Sequence, residues 1–124
     1  MSSQGNFDLA PLELQTYIAE FFPREEWDNA AAISHLESGW SAFAENDTTD
    51  DTHPCGALLE VREGVRITAE HSIGWFQING CNLPTLWRWE HLFNTRHNVG
   101  TAHQMWSERG WHPWYFSART LGLL

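Results

Sequence analysis

His35-Leu36-Glu37-Ser38-Gly39-Trp40 and, further along, Glu70-His71-Ser72-Ile73-Gly74-Trp75-Phe76-Gln77-Ile78-Asn79 are the two stretches on which the fold turns. The first ends an apolar helical pattern. Pro23 suits a helix start, Glu25 and Glu26 favour its first turn through the dipole, and Ala30, Ala31, Ile33 and Leu36 supply apolar content. Gly39 supplies the stop, so this helix ends near Glu37. A carboxylate at that end feels the negative pole of the helix, which disfavours ionisation. Walling by tryptophan would raise its pKa further by desolvation. Both effects keep a proton on the group near neutral pH, the state a general acid needs. An ordinary solvated helix-end glutamate fits the position equally well.

Working outward, residues 1–8 read as a frayed tail. Asp8 can cap a first helix over 9–22, with Leu14, Tyr17, Ile18 and Phe21 on one face. Residues 41–56 read as an acidic, polar loop. Ala57–Arg62 and Val65–Thr68 read as strands joined at Glu63-Gly64, and Ile73–Ile78 as a third extended or buried segment. Pro84 opens a short helix to about Phe93. Asn94 can cap a helix over Thr95–Arg109 with Gly110 behind it, and Pro113 starts a last short helix to about Thr120. The expected class is α+β, mostly helical with a small β-hairpin, as a single domain over 1–124.

Composition narrows the function. The chain has 124 residues, with 16 Asp and Glu against 7 basic residues, for a net charge of -9. Every basic residue is arginine. That balance argues against nucleic-acid binding. With 42% hydrophobic and 14% aromatic residues, disorder is not expected. No secretory signal peptide and no stretch of roughly 20 apolar residues is read, so membrane insertion is not expected. Cys55 and Cys81 have neither metal nor CxxC spacing, and they are open to bridging or to remaining buried thiols. The histidines lack HExxH or Cys/His ligand spacing, and the aspartates of the 45–54 loop lack the EF-hand glycine and closing glutamate. No metal or cofactor is expected.

Glu37-Ser38-Gly39-Trp40, a loop with a hairpin, then Gly74-Trp75-Phe76-Gln77-Ile78-Asn79 resembles the lysozyme-like superfamily, closest to its soluble lytic transglycosylase and phage lysozyme branches. Asn98-Val99-Gly100-Thr101-Ala102 resembles the start of the family's late helix, and Gly110-Trp111-His112-Pro113-Trp114 a phage-type ending. The resemblance covers about residues 21–118. It implies a lysozyme-like fold with a substrate cleft. It further implies cleavage of peptidoglycan glycan strands between N-acetylmuramic acid and N-acetylglucosamine, with Glu37 as general acid.

By the same likeness, Gln77 faces the substrate and Asn79 is a second contact. Trp75 stands where leucine is usual. Trp40, Trp75, Trp111 and Trp114 are candidates to stack on sugar rings, with Trp114 walling Glu37. Ser72 stands where animal-type lysozymes have an aspartate, and Asn79 where a goose-type pattern has one. Glu70, at the hairpin edge, is the candidate second carboxylate; Glu60 and Glu63 lie elsewhere in the hairpin. A lytic transglycosylase needs no second carboxylate, since the muramic acid 6-hydroxyl closes an anhydro ring. A non-catalytic glycan-binding module is the rival from another class. The expected context is a monomeric phage lysin, released from the host cytoplasm by a holin or carried by the virion.

Many lysozymes are basic, whereas this chain and the bacterial wall are both acidic. Their repulsion is screened beyond about 8 Å in physiological salt. Wall lysis is therefore expected to rise as salt is added from very low ionic strength. A turbidity assay showing a steady fall would contradict this.

Overall fold

Pro11 and Pro23 punctuate the N-terminal third. The computed structural model describes residues 6–47, 58–62, 65–68, 71–79 and 89–124. A single helical turn, α1 (Asn6–Leu9), precedes α2 (Leu12–Phe21), whose first turn follows Pro11 without a side-chain cap. Asp8 therefore does not cap the long helix; it lies inside α1. Nor is the chain a frayed tail as far as residue 8. Phe7 donates its N–H to Asp28 Oδ1 at 3.0 Å and stacks on Trp27 with ring centroids 4.7 Å apart. The expected face of α2 is the packed one, with Leu14 and Ile18 fully buried and Tyr17 and Phe21 against the core.

After Pro23, a 3₁₀ turn at Arg24–Glu26 leads into α3 (Trp27–Ser38). Gly39, at φ 64°, ends it by donating its N–H to the His35 carbonyl at 2.8 Å. The helix buries Ala30, Ala31, Ala32, Ile33 and Ser34 in succession. Leu36, expected on the apolar face, points instead to solvent.

The β component is small and antiparallel. β1 (Glu45–Asp47) lies inside the stretch read as loop. β2 (Leu58–Arg62) and β3 (Val65–Thr68) form the expected hairpin, with a register irregularity between Leu58 and Glu60. Glu63-Gly64 lies outside the described residues. β4 (His71–Ile73) is the centre of a second sheet in the order β1-β4-β5, where β5 is Ile78–Asn79. Glu45 is opposite Ile73, and Ser72 is opposite Asn79. The segment Ile73–Ile78, expected to be extended or buried, is buried throughout and runs as strand, turn and strand. An unbroken apolar run does not distinguish a buried strand from a buried turn. Gly74, at φ 75°, permits the reversal, and Gln77 N–H closes it on the Gly74 carbonyl at 3.0 Å.

The start of the helix expected from Pro84 lies outside the described residues, and its end is a 3₁₀ helix, Trp89–Phe93. α4 (Thr95–Arg109) follows, with Asn94 Oδ1 accepting from His97 N–H at 3.1 Å and Gly110 at its end, as the sequence predicts. A 3₁₀ turn (His112–Trp114) and α5 (Tyr115–Thr120) complete the chain. Among the described residues no helix is long and apolar enough to cross a membrane. The fold is mostly helical α+β.

Aromatic packing fills the centre. Phe22 stacks on Trp111 at 5.7 Å and an interplanar angle of 10°, meets His103 edge-on at 5.2 Å, and lies 6.2 Å from Phe76. Trp111 and Trp114 continue the cluster at 5.5 Å. Against this core, the fully buried Asn98 of α4 holds the Gly74–Gln77 turn. Its Nδ2 donates to the carbonyls of Ile73 (2.8 Å) and Leu92 (2.9 Å), and its Oδ1 accepts from Phe76 N–H (3.0 Å). The approach is close: a Cβ on Gly74 would stand 2.5 Å from Asn98 Nδ2 and 2.9 Å from the Leu92 carbonyl.

Asn98→Ala strands these three buried groups at once. The expected loss is about 3 kcal/mol or more, read as a lowered denaturant midpoint. A loss under about 1 kcal/mol would contradict the role given to Asn98.

Candidate functional site

Two serines flank Glu37 near the end of α3. Ser34 and Ser38 are four apart, so they share a helix face. Both hydroxyls point at the carbonyl of Trp75, at 2.7 Å and 2.8 Å. This joins the C-terminal end of α3 directly to the Gly74–Gln77 turn. Beyond the helix, Gly39 and Trp40 are both left-handed, at φ 64° and 62°. Such backbone is uncommon for a bulky residue and carries a cost. Trp40 is held there by its indole N–H, which donates to the Ala31 carbonyl at 3.0 Å, and by its ring, 4.5 Å from His35. Ser41 N–H then donates to Ser38 Oγ at 3.2 Å. The chain passes on to Ala44, whose carbonyl accepts from Gly74 N–H at 2.8 Å and from Gln77 Nε2 at 3.1 Å.

The C-terminal segment closes the other side. Trp114 donates its indole N–H to the Phe76 carbonyl at 2.9 Å. One turn later, Ser117 donates its hydroxyl to Glu37 Oε2 at 2.6 Å. The three segments singled out in the sequence therefore meet at one turn.

Glu37 is half-buried. Burial pushes its carboxyl above the ordinary glutamate value, and the Ser117 hydrogen bond offsets part of that rise. The C-terminal pole of α3 acts in the same direction as burial. The result is a carboxyl that is partly withdrawn from water, oriented by one hydroxyl and biased towards its protonated form.

The other expected site residues divide into groups. Ser72 and Asn79 are half-buried and opposite each other on β4 and β5. Gln77 is only 9% exposed, and its amide nitrogen also donates to the Gly74 carbonyl at 3.1 Å. Both Nε2 hydrogen bonds brace the turn. Glu70 lies outside the described residues, as do Cys55 and Cys81.

Trp75, Trp111 and Trp114 are core residues, not the exposed stacking surfaces expected from their place in the motifs. Their indole N–H groups are satisfied inside the protein. Trp75 donates to Thr95 Oγ1 at 3.0 Å, and Trp111 to Glu26 Oε1 at 3.1 Å. The physical reason is area. An indole removes more apolar surface from water than almost any other side chain, and a small core takes it in when the N–H finds a partner.

Sequence reading missed Ser34 and Ser117. The four-residue spacing of serines around Glu37 was a usable signal for Ser34. Ser117 offered none, since its partner is 80 residues away. Compared with family models, with curated proteins and with solved structures, the chain matches none.

The raised pKa has a stability consequence. Above the raised value, the folded state holds an ionised carboxyl in a desolvated place, whereas the unfolded chain leaves it in water. Stability therefore falls as pH rises from the ordinary glutamate range through the raised value. Glu37→Gln removes that cost. It is expected to gain stability relative to the unmutated protein as pH rises towards neutrality, with the difference flat in acid below the ordinary glutamate range. Ser117→Ala, which removes the contact opposing the rise, is expected to steepen the pH dependence. Thermal melts of the three proteins across pH 4–7 check this, and parallel profiles for Glu37→Gln and its parent would contradict it.

Proposed function

We propose that this chain is a lysozyme-like muralytic glycosidase that cuts peptidoglycan glycan strands between N-acetylmuramic acid and N-acetylglucosamine, with Glu37 as the general acid. The observation that carries the reading is the Glu37 carboxyl itself: half-buried, raised in pKa by burial and held by Ser117. It stands at the end of α3, where Ser34 and Ser38 tie that helix to the Gly74–Gln77 floor. The ordered motifs, found far apart in the chain, converge on that floor, and this is the arrangement the resemblance implies.

The chemistry follows from the carboxyl's environment. Desolvation favours the protonated form of Glu37, the form that can pass its proton to a glycosidic oxygen. As the sugar–oxygen bond breaks, the carboxyl becomes a carboxylate. The Ser117 hydroxyl already points at Oε2, so the charge forms against a donor that needs no reorganisation. The carboxylate can then act as base for the second step. A phage lysin, acting on the wall after release or from the virion, is the setting we favour.

One observation favours a lytic transglycosylase as the second reading. The floor segment from Ser72 to Asn79 contains no carboxylate. If one carboxyl serves both steps, the muramic acid 6-hydroxyl attacks and an anhydro sugar leaves.

Glu37→Gln is expected to lower wall lysis by about 100-fold or more while the protein stays folded, since general acid catalysis contributes on the order of 10²–10⁴. Unchanged lysis would remove Glu37 from the mechanism. Mass spectrometry of the fragments released by the unmutated protein separates the two products by one water. Binding of glycan without cleavage by the unmutated protein would favour the non-catalytic module.

A further inference from the structure

If glycan is the substrate, as proposed above, aromatic faces should meet the sugar rings, because the C–H faces of a pyranose stack on aromatic rings. The buried Trp75, Trp111 and Trp114 do not offer them. Among the residues whose side-chain burial is described, the exposed aromatic side chains other than histidine are Phe43 (74% exposed), Tyr115 (44%) and Phe116 (84%). The last two lie on the outer side of α5, whose inner side carries Ser117 and Ala118. They face each other at 5.4 Å, and the Tyr115 hydroxyl accepts from Arg119.

Phe43 differs because both its neighbours touch the floor. The Ala42 carbonyl lies 3.2 Å from the place a Cβ on Gly74 would occupy, and the Ala44 carbonyl accepts from Gly74 N–H. Phe43 N–H donates to Ser41 Oγ at 3.3 Å, and its ring stacks on Phe93 with centroids 6.3 Å apart at 27°. The backbone is pinned and the ring is backed, yet most of the side chain stands in water. The ends of a four-residue turn lie within about 7 Å of each other. Ser38, the neighbour of Glu37, and Ala44, the neighbour of Phe43, both bind that one turn.

We infer that Phe43, backed by Phe93, is the stacking platform for a pyranose ring of the glycan strand that reaches Glu37. The inference rests on the glycan reading. It puts Phe43 in the place expected of the buried Trp75, Trp111 and Trp114 and makes it a residue that sets affinity for sugar. Exposed single aromatics are common on protein surfaces. What distinguishes this one is its backing by Phe93 and the contact of both its chain neighbours with the Gly74–Gln77 turn, to which Ser38 next to Glu37 also binds.

The test uses Glu37→Gln as the parent, so that the glycan is bound and not cut. The probe is the β-1,4-linked hexamer of N-acetylglucosamine, titrated by calorimetry. Adding Phe43→Ala is expected to weaken binding by about tenfold, the effect of losing one stacked ring. Phe43→Trp is expected to restore or tighten it, and Phe43→Leu is not. Equal denaturation midpoints for these variants establish that the fold is intact. Equal affinity for Phe43→Ala and its parent overturns the platform and leaves the glycan reading standing. So does a loss seen with Phe116→Ala but not with Phe43→Ala. No binding by the parent, together with no wall lysis by the unmutated protein, overturns both.

Discussion

A turn buried in a protein core carries its peptide groups away from water, and each one left unpaired costs free energy. The Gly74–Gln77 turn meets that constraint by drawing partners from α3, from Ala44, from α4 and from the C-terminal segment. Asn98 of α4 takes the Ile73 carbonyl and the Phe76 N–H. Ser34 and Ser38 of α3 take the Trp75 carbonyl, and Trp114 takes that of Phe76. The Ala44 carbonyl takes the Gly74 N–H, and the Gln77 amide takes the Gly74 carbonyl. Satisfying the turn therefore fixes where α3 ends, where the C-terminal segment crosses, and where the chain leaves towards β1. Gly74 allows the fit, since both its positive φ and its lack of a Cβ are needed at the contact with Asn98.

Glu37 takes its character from this arrangement. The end of α3 is fastened to the floor on one side by serines, and Ser117 reaches the carboxyl from the other. The group is half-buried, and burial raises its pKa. Ser117 acts against that rise while orienting the oxygen that it touches. A carboxyl held between these two influences can release a proton and then carry a negative charge, which is the sequence of states the proposed reaction requires.

Local signals in the sequence were sound where the structure depends on local physics. Gly39 ends α3, Asn94 and Gly110 bound α4, and Val65–Thr68 is a strand, because caps, stops and hairpin patterns are decided within a few residues. Readings that needed the tertiary fold failed. Ile73–Ile78 was read as extended or buried; the burial holds, but an apolar run does not reveal the turn inside it. Trp75, Trp111 and Trp114 sit in motif segments, yet the core claims them because their N–H groups find Thr95, Glu26 and the Phe76 carbonyl. The place of Glu37 at a helix end was legible, because Gly39 marks the stop two residues later. Ser117 was not, since nothing near it in the chain announces a partner so distant in sequence.

The central claim is that Glu37 is a carboxyl whose pKa its surroundings raise, and its own titration tests this most directly. Carbon-detected NMR of the side-chain carboxyl, assigned by comparison with Glu37→Gln, follows that one group through pH. The account predicts that Glu37 titrates above the solvent-exposed glutamates of the same molecule. A Glu37 signal that titrates together with them would contradict it.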